Sequence, residues 1–394
     1  MNYRIAAAGL VLAGLAIAGP ARGFDGIVEP QVHTIPYYAT AGAKLVAGMS
    51  IAWESYGRLN IRSDNVILIV PSFSATAHAA GRYGEGEEPG YWDAIIGPGK
   101  ALDTKKYFIL SAGAPCAVQV KTAHEVGTGP SDINPETETV WGADFPPLTL
   151  RDFVAVQKSL TESLGIYSIE AVIGFSLGAA QALEWAASYP HVVKRAIAIT
   201  PWVEADGWIL ASGWGWKAPI LRDPNWRGGA YHGGAEPVAG LAGSFEVVLR
   251  DALSRGFFNQ RFGRTWADES RDPATSPDNL YAAEAWLRDT ARTMAERSDA
   301  SHFVCRANAA RQFVLGRAGD AKTALSELKV PTLLLPAAGD RLLPPEIANE
   351  IVAGAGAANI EVETLAGGFG HLNGRWAIEG AADRIAAFIA AERE

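Results

Sequence analysis

Short, uninterrupted runs of apolar residues recur along the chain, at lengths typical of strands that are buried on both faces of a sheet. They lie at 65–70 (NVILIV), 107–111 (YFILS), 171–175, 195–200 (RAIAIT), 332–336 and 360–365. Two segments between them have the pattern of helices. From 150 to 164 apolar residues recur every three or four positions behind Thr149, a candidate N-cap, and an Ala-rich stretch follows at 177–187. This alternation predicts an α/β fold with a mainly parallel sheet.

The segment from about 201 to 324 has a different character. It has no strand-like runs, and helical patterns dominate, as at 244–253 and 279–295. Seven of the twelve tryptophans lie in it: Trp202, Trp208, Trp214, Trp216, Trp226, Trp266 and Trp286. The segment is predicted to be a helical lid inserted into a core made of 24–200 and 325–394. Its aromatic residues either line a substrate cleft or anchor the lid to the core.

The first 23 residues have the three-part layout of a secretory signal peptide. A positive start with Arg4 precedes an apolar run at 5–19, and Ala21-Arg22-Gly23 offers small residues before a cut at Phe24. Because a membrane-spanning helix needs about 20 apolar residues, a stable membrane anchor is the weaker interpretation. A buried N-terminal helix is the other alternative. The pattern predicts a periplasmic or secreted protein.

Composition narrows the possible partners. The 394 residues are 48% hydrophobic and 20% charged, as in an ordinary globular protein, and the net charge is −9. An acidic chain is a poor match for nucleic acid or an anionic membrane. The two cysteines, Cys116 and Cys305, form no CxxC metal pattern, and their pairing depends on proximity, which export would permit. No metal or cofactor is predicted.

The sequence Gly174-Phe175-Ser176-Leu177-Gly178 ends one predicted strand and begins the next helix. G-x-S-x-G occurs often by chance, but between a strand and a helix it is typical of a nucleophile elbow, a tight turn that exposes a serine hydroxyl. The helix N-terminus also favours a developing negative charge. Ser176 is therefore the candidate nucleophile, and the alternative is a turn without chemical importance.

A serine hydroxyl needs a base and an orienting carboxylate, which follow such an elbow in the order Asp or Glu, then His. Asp340 follows the apolar run at 332–336, and His371 lies in a Gly-rich loop after the run at 360–365. Both are placed to reach the edge of the sheet where the strands end. The sequence thus predicts a Ser176, Asp340 and His371 triad. The other histidines do not follow a late strand or pair at metal-ligand spacing: His33, His78, His124, His191, His232 and His302.

Two backbone N–H groups are predicted to stabilise an oxyanion. One belongs to Leu177, directly after the nucleophile, and the other comes from the loop after the first apolar run. In that loop, at 71–74, Phe73 is the expected donor, with either neighbour as an alternative.

At several places the sequence resembles the homoserine O-acetyltransferase family of α/β-hydrolases. The matching pieces are WESYGRLN (53–60), HAAG (78–81), PGYWDAIIGPGKALDTKKYFIL (89–110), TGPSDINP (128–135), FPPLTLRD (145–152), VIGFSLGAAQALEWAASYP (172–190), VPTLLLPAAGDRLLPPE (330–346) and GFGH (368–371). The resemblance implies the α/β-hydrolase fold, an acyl-Ser176 intermediate with Asp340 and His371 completing the triad, and a homodimer.

Three departures argue against the family's named activity. Leu372 stands where the acetyltransferases have an Asp that helps to hold the homoserine amine. The family's segment for the amino-acid carboxylate has no clear match, and export would separate the enzyme from acetyl-CoA. The sequence therefore favours an exported serine hydrolase acting on a small acyl ester, amide or lactone. An O-acyltransferase is the alternative, and a non-enzymatic binding protein is a third hypothesis.

Overall fold

Eight strands form the main sheet in the computed structural model, which describes residues 26–316, 319–356 and 359–392. They are β1 (Gln31–Ala39), β2 (Leu45–Tyr56), β3 (Val66–Val70), β4 (Phe108–Ala112), β5 (Ile169–Phe175), β6 (Ala196–Ile199), β7 (Thr332–Leu335) and β8 (Ile360–Val362). Their order across the sheet is β1-β2-β4-β3-β5-β6-β7-β8. β2 pairs antiparallel with β1 and β4, and every other pairing is parallel. The mainly parallel sheet is confirmed, whereas the predicted signal peptide at 1–23 lies outside the described residues.

The helices are α1 (Leu150–Ser163), α2 (Leu177–Ser188), α3 (Gly207–Arg222), α4 (Val238–Ala252), α5 (Arg255–Arg261), α6 (Ala282–Glu296), α7 (Ala300–Arg311), α8 (Ala321–Ser326), α9 (Glu346–Ala355), α10 (Asn373–Trp376) and α11 (Ala382–Ala390). α1 begins as predicted, because the Thr149 side chain and Asp152 form a reciprocal capping box. In the described part of the chain no helix is both long and apolar enough to cross a membrane.

Both faces of the sheet are covered, which explains the continuous apolar runs. In β3, Val66, Leu68 and Val70 pack into one hydrophobic cluster, whereas Ile67 and Ile69 pack into another. The first cluster includes side chains from α1 and α2, and the second includes side chains from α11. Because β3 lies between two cores, all five of its positions are apolar.

β1 and β2 were not predicted, because they lack such a run. Most residues of β1 are exposed, and its sequence QVHTIPYYA mixes polar and apolar side chains without strict alternation. The strand is held instead by its antiparallel pairing with β2, from Gln31 opposite Trp53 to Ala39 opposite Leu45.

The last strand, β8, ends at Val362, three residues earlier than predicted, since its pairing with β7 stops there.

The segment between β6 and β7 is helical. Residues 201–324, predicted to form a lid, contain α3 to α7 and the first part of α8, and α4 and α6 lie close to the predicted helical stretches. A disulfide joins this segment to the sheet domain. Cys305 in α7 is bonded to Cys116 in the loop after β4, with the two Cα atoms 6.1 Å apart. The pairing that the sequence left open is therefore formed.

Candidate active site

Ser176 lies in the tight turn between β5 and α2. Its φ of 60° is in the left-handed region, an unusual conformation for a residue with a side chain. The flanking glycines make this turn possible, because a Cβ on Gly174 would lie 2.0 Å from the carbonyl oxygen of Gly178, and one on Gly178 would lie 2.6 Å from that of Val70. The Ser176 N–H donates to the carbonyl of Ile199, 2.9 Å away on β6. The turn therefore has the form of a nucleophile elbow.

The three residues predicted as a triad lie in one continuous hydrogen-bonded chain. His371 Nε2 is 2.8 Å from Ser176 Oγ, and His371 Nδ1 is 2.7 Å from Asp340 Oδ2. The side chains come from three separate loops, after β5, β7 and β8. All three residues are buried, with exposed fractions of 9%, 4% and 3% for Ser176, Asp340 and His371.

Asp340 is held by more than the histidine. Its other oxygen, Oδ1, accepts hydrogen bonds from the backbone N–H groups of Leu342 and Leu343, each at 2.9 Å. A carboxylate fixed in this way favours an imidazole that carries its proton on Nδ1. Nε2 of His371 is then free to accept the proton of the Ser176 hydroxyl. The arrangement has the groups needed for nucleophilic catalysis by serine.

The two expected oxyanion donors lie at the same cleft as Ser176. Leu177 is the first residue of α2, and Phe73 lies in the loop after β3. Both residues line the cleft, and within the described chain neither backbone N–H has a hydrogen-bond acceptor. Backbone N–H groups without an internal partner at a helix start are suited to bind an anionic oxygen.

The cleft in front of Ser176 is narrow and mostly apolar. Its cavity volume is about 60 Å³. The sheet domain contributes Phe73, Ser176, Leu177, Leu342 and Leu343, and the inserted segment contributes Trp202, Ile209, Ser212, Gly213, Trp216, Ala307, Ala310 and Arg311. Among the described residues of this lining, Arg311 is the one that carries a charge, and none is a carboxylate.

Both predicted roles are found among the tryptophans of the inserted segment. Trp202 and Trp216 line the cleft, and the Trp202 indole N–H also donates to the Ser176 carbonyl at 3.1 Å. Trp286 instead packs against Phe257, with ring centroids 5.3 Å apart, in an aromatic cluster that reaches the His371 loop through Phe369. The aromatics therefore both line the cleft and anchor the helices.

A buried asparagine connects the histidine loop with the aspartate loop. Asn373 Oδ1 accepts a hydrogen bond from the Phe369 N–H at 2.9 Å, and Asn373 Nδ2 donates to the Ala338 carbonyl at 3.2 Å. The residue is fully buried. Because it bonds within two residues of both His371 and Asp340, it helps to fix the distance between them. Nothing in its sequence position indicated this role.

Replacing Asn373 by Ala is expected to lower kcat by about tenfold to a hundredfold, since small displacements of catalytic groups are this costly. It should also lower the free energy of unfolding by about 1–3 kcal/mol for each buried group that loses its partner. Steady-state kinetics and urea unfolding measure the two effects. Asn359→Ala is the control, because it removes one exposed hydrogen bond, to the Lys329 carbonyl. Wild-type kcat in Asn373→Ala would show that the loops hold their geometry without it.

The fold and this site together define the class of protein. A serine at the turn after a central strand, followed along the chain by Asp and His at later strand ends, is the arrangement of α/β-hydrolase enzymes. A sequence model of the alpha/beta hydrolase fold matches residues 126–372, more than half of the chain.

Relatives of known name identify the family within this class. The homoserine O-acetyltransferase of Methanohalobium evestigatum is 35% identical over 349 residues, which cover 88% of this chain and 70% of the relative. The solved structure of esterase E22 is 39% identical with a TM-score of 0.88, and it covers 92% of this chain and 100% of its own. The homoserine O-acetyltransferase of Bacillus anthracis is 29% identical with a TM-score of 0.86, over 93% and 99% of the two chains. The chain belongs to the homoserine O-acetyltransferase family of α/β-hydrolases.

Proposed function

We propose that the protein is a serine esterase that cleaves a small acyl ester through an acyl-Ser176 intermediate. The hydrogen-bonded chain from Ser176 through His371 to Asp340 carries this proposal. His371 takes the hydroxyl proton as Ser176 Oγ bonds to the ester carbonyl carbon, and then gives that proton to the departing alkoxide. Asp340 keeps the imidazole oriented and stabilises its positive charge. Water, activated by His371, then releases the acid and frees Ser176.

The N–H groups of Phe73 and Leu177 are the proposed donors to the oxyanion of each tetrahedral intermediate. One such donor contributes about 3–4 kcal/mol to transition-state stabilisation in comparable enzymes. The restricted space in front of Ser176 favours a short acyl chain, because the apolar walls from Trp202 and Trp216 leave little room for a long one.

The lining of the cleft favours water over homoserine as the acceptor. A homoserine acceptor carries an ammonium group, and a buried ammonium needs a carboxylate or several acceptors near it. The described residues that line the cleft include Arg311 but no carboxylate. The family resemblance also implies an Asp in the acetyltransferases at the position of Leu372. Leu372 is half-buried and packs against the hydrophobic cluster beneath the sheet.

Homoserine O-acetyltransferase is the second candidate function, and the names of the curated relatives favour it over hydrolysis. It uses the same first step, with acetyl-CoA as donor and the homoserine hydroxyl in place of water. Similar solved structures carry both names. Esterase E22 and the Bacillus anthracis homoserine O-acetyltransferase each resemble this chain over nearly its whole length.

The proposed site of action is the periplasm or the extracellular space. The N-terminal pattern supports it, and so does the disulfide between Cys116 and Cys305, since disulfides persist mainly in oxidising compartments. Acetyl-CoA is scarce there, which also favours hydrolysis. A homodimer, which the family resemblance implies, stays a prediction.

The test is p-nitrophenol release from p-nitrophenyl acetate by protein starting at Phe24, with and without homoserine. Steady turnover in water alone that is lost in Ser176→Ala is the expected result. A single burst equal to the enzyme concentration, with turnover only after homoserine is added, would favour the acetyltransferase. A direct assay with acetyl-CoA and homoserine then decides between the two natural reactions, because O-acetylhomoserine forms only in the second. No burst, no turnover and no reaction of Ser176 with a fluorophosphonate would contradict both.

A further inference from the structure

Arg306 is a charged residue buried between the inserted helices and the sheet domain. It lies in α7 directly after the disulfide-bonded Cys305, and only 1% of it is exposed. Burial lowers its pKa to about 10, so the guanidinium remains charged at neutral pH. Glu125 is the acidic group that acts on it, and burial raises the pKa of that carboxyl to about 8. Hydrogen bonds from the guanidinium to other groups add to the stabilisation of its charge.

Backbone carbonyl groups provide that stabilisation. Nη1 of Arg306 donates to the carbonyl of Phe73 at 3.0 Å and lies 3.5 Å from the carbonyl of Ser72. Nη2 donates to the carbonyls of Ala114 and Pro115, at 3.2 and 3.1 Å. The first two carbonyls belong to the loop after β3 and the last two to the loop after β4. One guanidinium therefore holds two loops that nothing in the sequence brings together.

The contact with the first loop bears directly on the expected oxyanion donor. The carbonyl of Ser72 and the N–H of Phe73 belong to one peptide unit, which is trans, and in a trans peptide these two groups point in opposite directions. A guanidinium that binds the Ser72 carbonyl therefore also fixes the direction in which the Phe73 N–H points. The adjoining peptide is held as well, through the stronger bond to the Phe73 carbonyl. Phe73 lines the same cleft as Ser176.

We propose that Arg306 is a positioning residue that orients the Phe73 N–H towards the oxyanion, and that it does so from the inserted segment. The proposal rests on the esterase function above. Arg306 touches neither substrate nor reacting atoms; it acts through the 72–74 backbone. The neighbouring disulfide strengthens the arrangement, because Cys116 directly follows Pro115, whose carbonyl accepts a hydrogen bond from Arg306. A covalent bond and a four-carbonyl contact thus connect α7 to the same region of the core.

Arginine is the residue type that this role requires. Its planar fork presents two nitrogens in fixed directions, one to each loop, whereas a lysine ammonium is a single point charge on a flexible chain. Phe303 also packs on the ring of Phe73, with centroids 4.9 Å apart, so α7 holds both the backbone and the side chain of this residue.

The test compares Arg306→Lys and Arg306→Gln with Arg292→Gln, which removes an exposed lid arginine paired with Asp289. Kinetic constants for p-nitrophenyl acetate are expressed per Ser176 titrated with a fluorophosphonate. We expect Arg306→Gln to lose about 10- to 100-fold in kcat, because removing one oxyanion donor outright costs about 100- to 1,000-fold. KM should change less than about threefold, Arg306→Lys should recover part of the loss, and Arg292→Gln should match the wild type.

A boronic acid inhibitor separates positioning from general loosening of the fold. Its boron bonds to Ser176 Oγ and gives a tetrahedral adduct with an oxygen in the oxyanion position, so its affinity should fall by the same factor as kcat/KM. If Arg306→Gln does not fold, Arg306→Lys carries the test alone, because it keeps the charge. The proposal would be overturned if the Arg306 variants kept the wild-type kcat per titrated site and the wild-type affinity for the boronic acid, even if their melting temperature were lower. Absence of Ser176-dependent turnover in the wild-type protein would overturn the esterase function and this proposal together.

Discussion

Replacing His371 by Ala is expected to lower kcat for p-nitrophenyl acetate by about a million-fold, the loss seen when the base of a serine triad is removed. His371 Nε2 lies 2.8 Å from Ser176 Oγ, so the imidazole is the group placed to take the hydroxyl proton. Without it, Ser176 must attack as a neutral alcohol, and the leaving group must depart without a proton donor. The fold should survive, because an alanine at this position removes hydrogen bonds only to side chains of the same site.

The control for this variant is His191→Ala, which removes an exposed histidine. Steady-state kinetics give kcat, and circular dichroism with urea unfolding shows that both variants fold. His371→Ala with more than about a thousandth of wild-type kcat would contradict its role as base, given the size of the effect in such triads. Asp340→Asn should lose less, about ten thousandfold, because the amide keeps the shape but favours the wrong imidazole tautomer.

Loss of the disulfide between Cys116 and Cys305 is expected to lower the free energy of unfolding by about 5 kcal/mol in the chain-entropy account of cross-links. The bond closes a loop with a sequence separation of 189 residues, which restricts the unfolded chain strongly. Its removal frees α7 from the loop after β4, and only polar and packing contacts then keep the inserted helices in place. Urea unfolding of Cys116→Ser/Cys305→Ser against the wild type measures the difference.

The same experiment with a thiol reductant provides the control. The reduced wild-type protein should unfold at the urea concentration of the double serine variant, and the reductant should have no effect on that variant. A change of less than about 1 kcal/mol would mean that the cross-link barely limits the unfolded chain, contrary to the loop-length argument. Because Arg306 follows Cys305, kcat measured on the same samples also shows whether the covalent bond is needed to keep the loop after β3 in place.

Much of the sheet domain was predictable from short stretches of sequence. Strands such as β3 are buried on both faces, so every residue is apolar, and such a run is visible without knowing its neighbours. The turn at Ser176 is equally local, since Gly174 and Gly178 are required by contacts within one strand–turn–helix unit and by the adjacent strand. Asp340 and His371 could be named because the loops after parallel strands converge at one edge of the sheet.

Other features depended on contacts between distant parts of the chain. β1 is mostly exposed and exists through its pairing with β2, so its own residues carry little signal. Arg306 and Asn373 have roles only because folding brings backbone carbonyls from other loops to them. An arginine or asparagine in a helix is common in any sequence, and only its buried contacts in the folded protein distinguish it.

The sequence by itself therefore determined the fold class and predicted which serine, aspartate and histidine would meet, because each depends on local pattern and on chain order. Only the tertiary structure decided that Cys116 and Cys305 are bonded, that one arginine holds the loop of the expected oxyanion donor, and that none of the described residues lining the cleft is a carboxylate. These features depend on distances between segments far apart in the chain. Such distances result from the packing of the whole domain, so no short stretch of sequence indicates them.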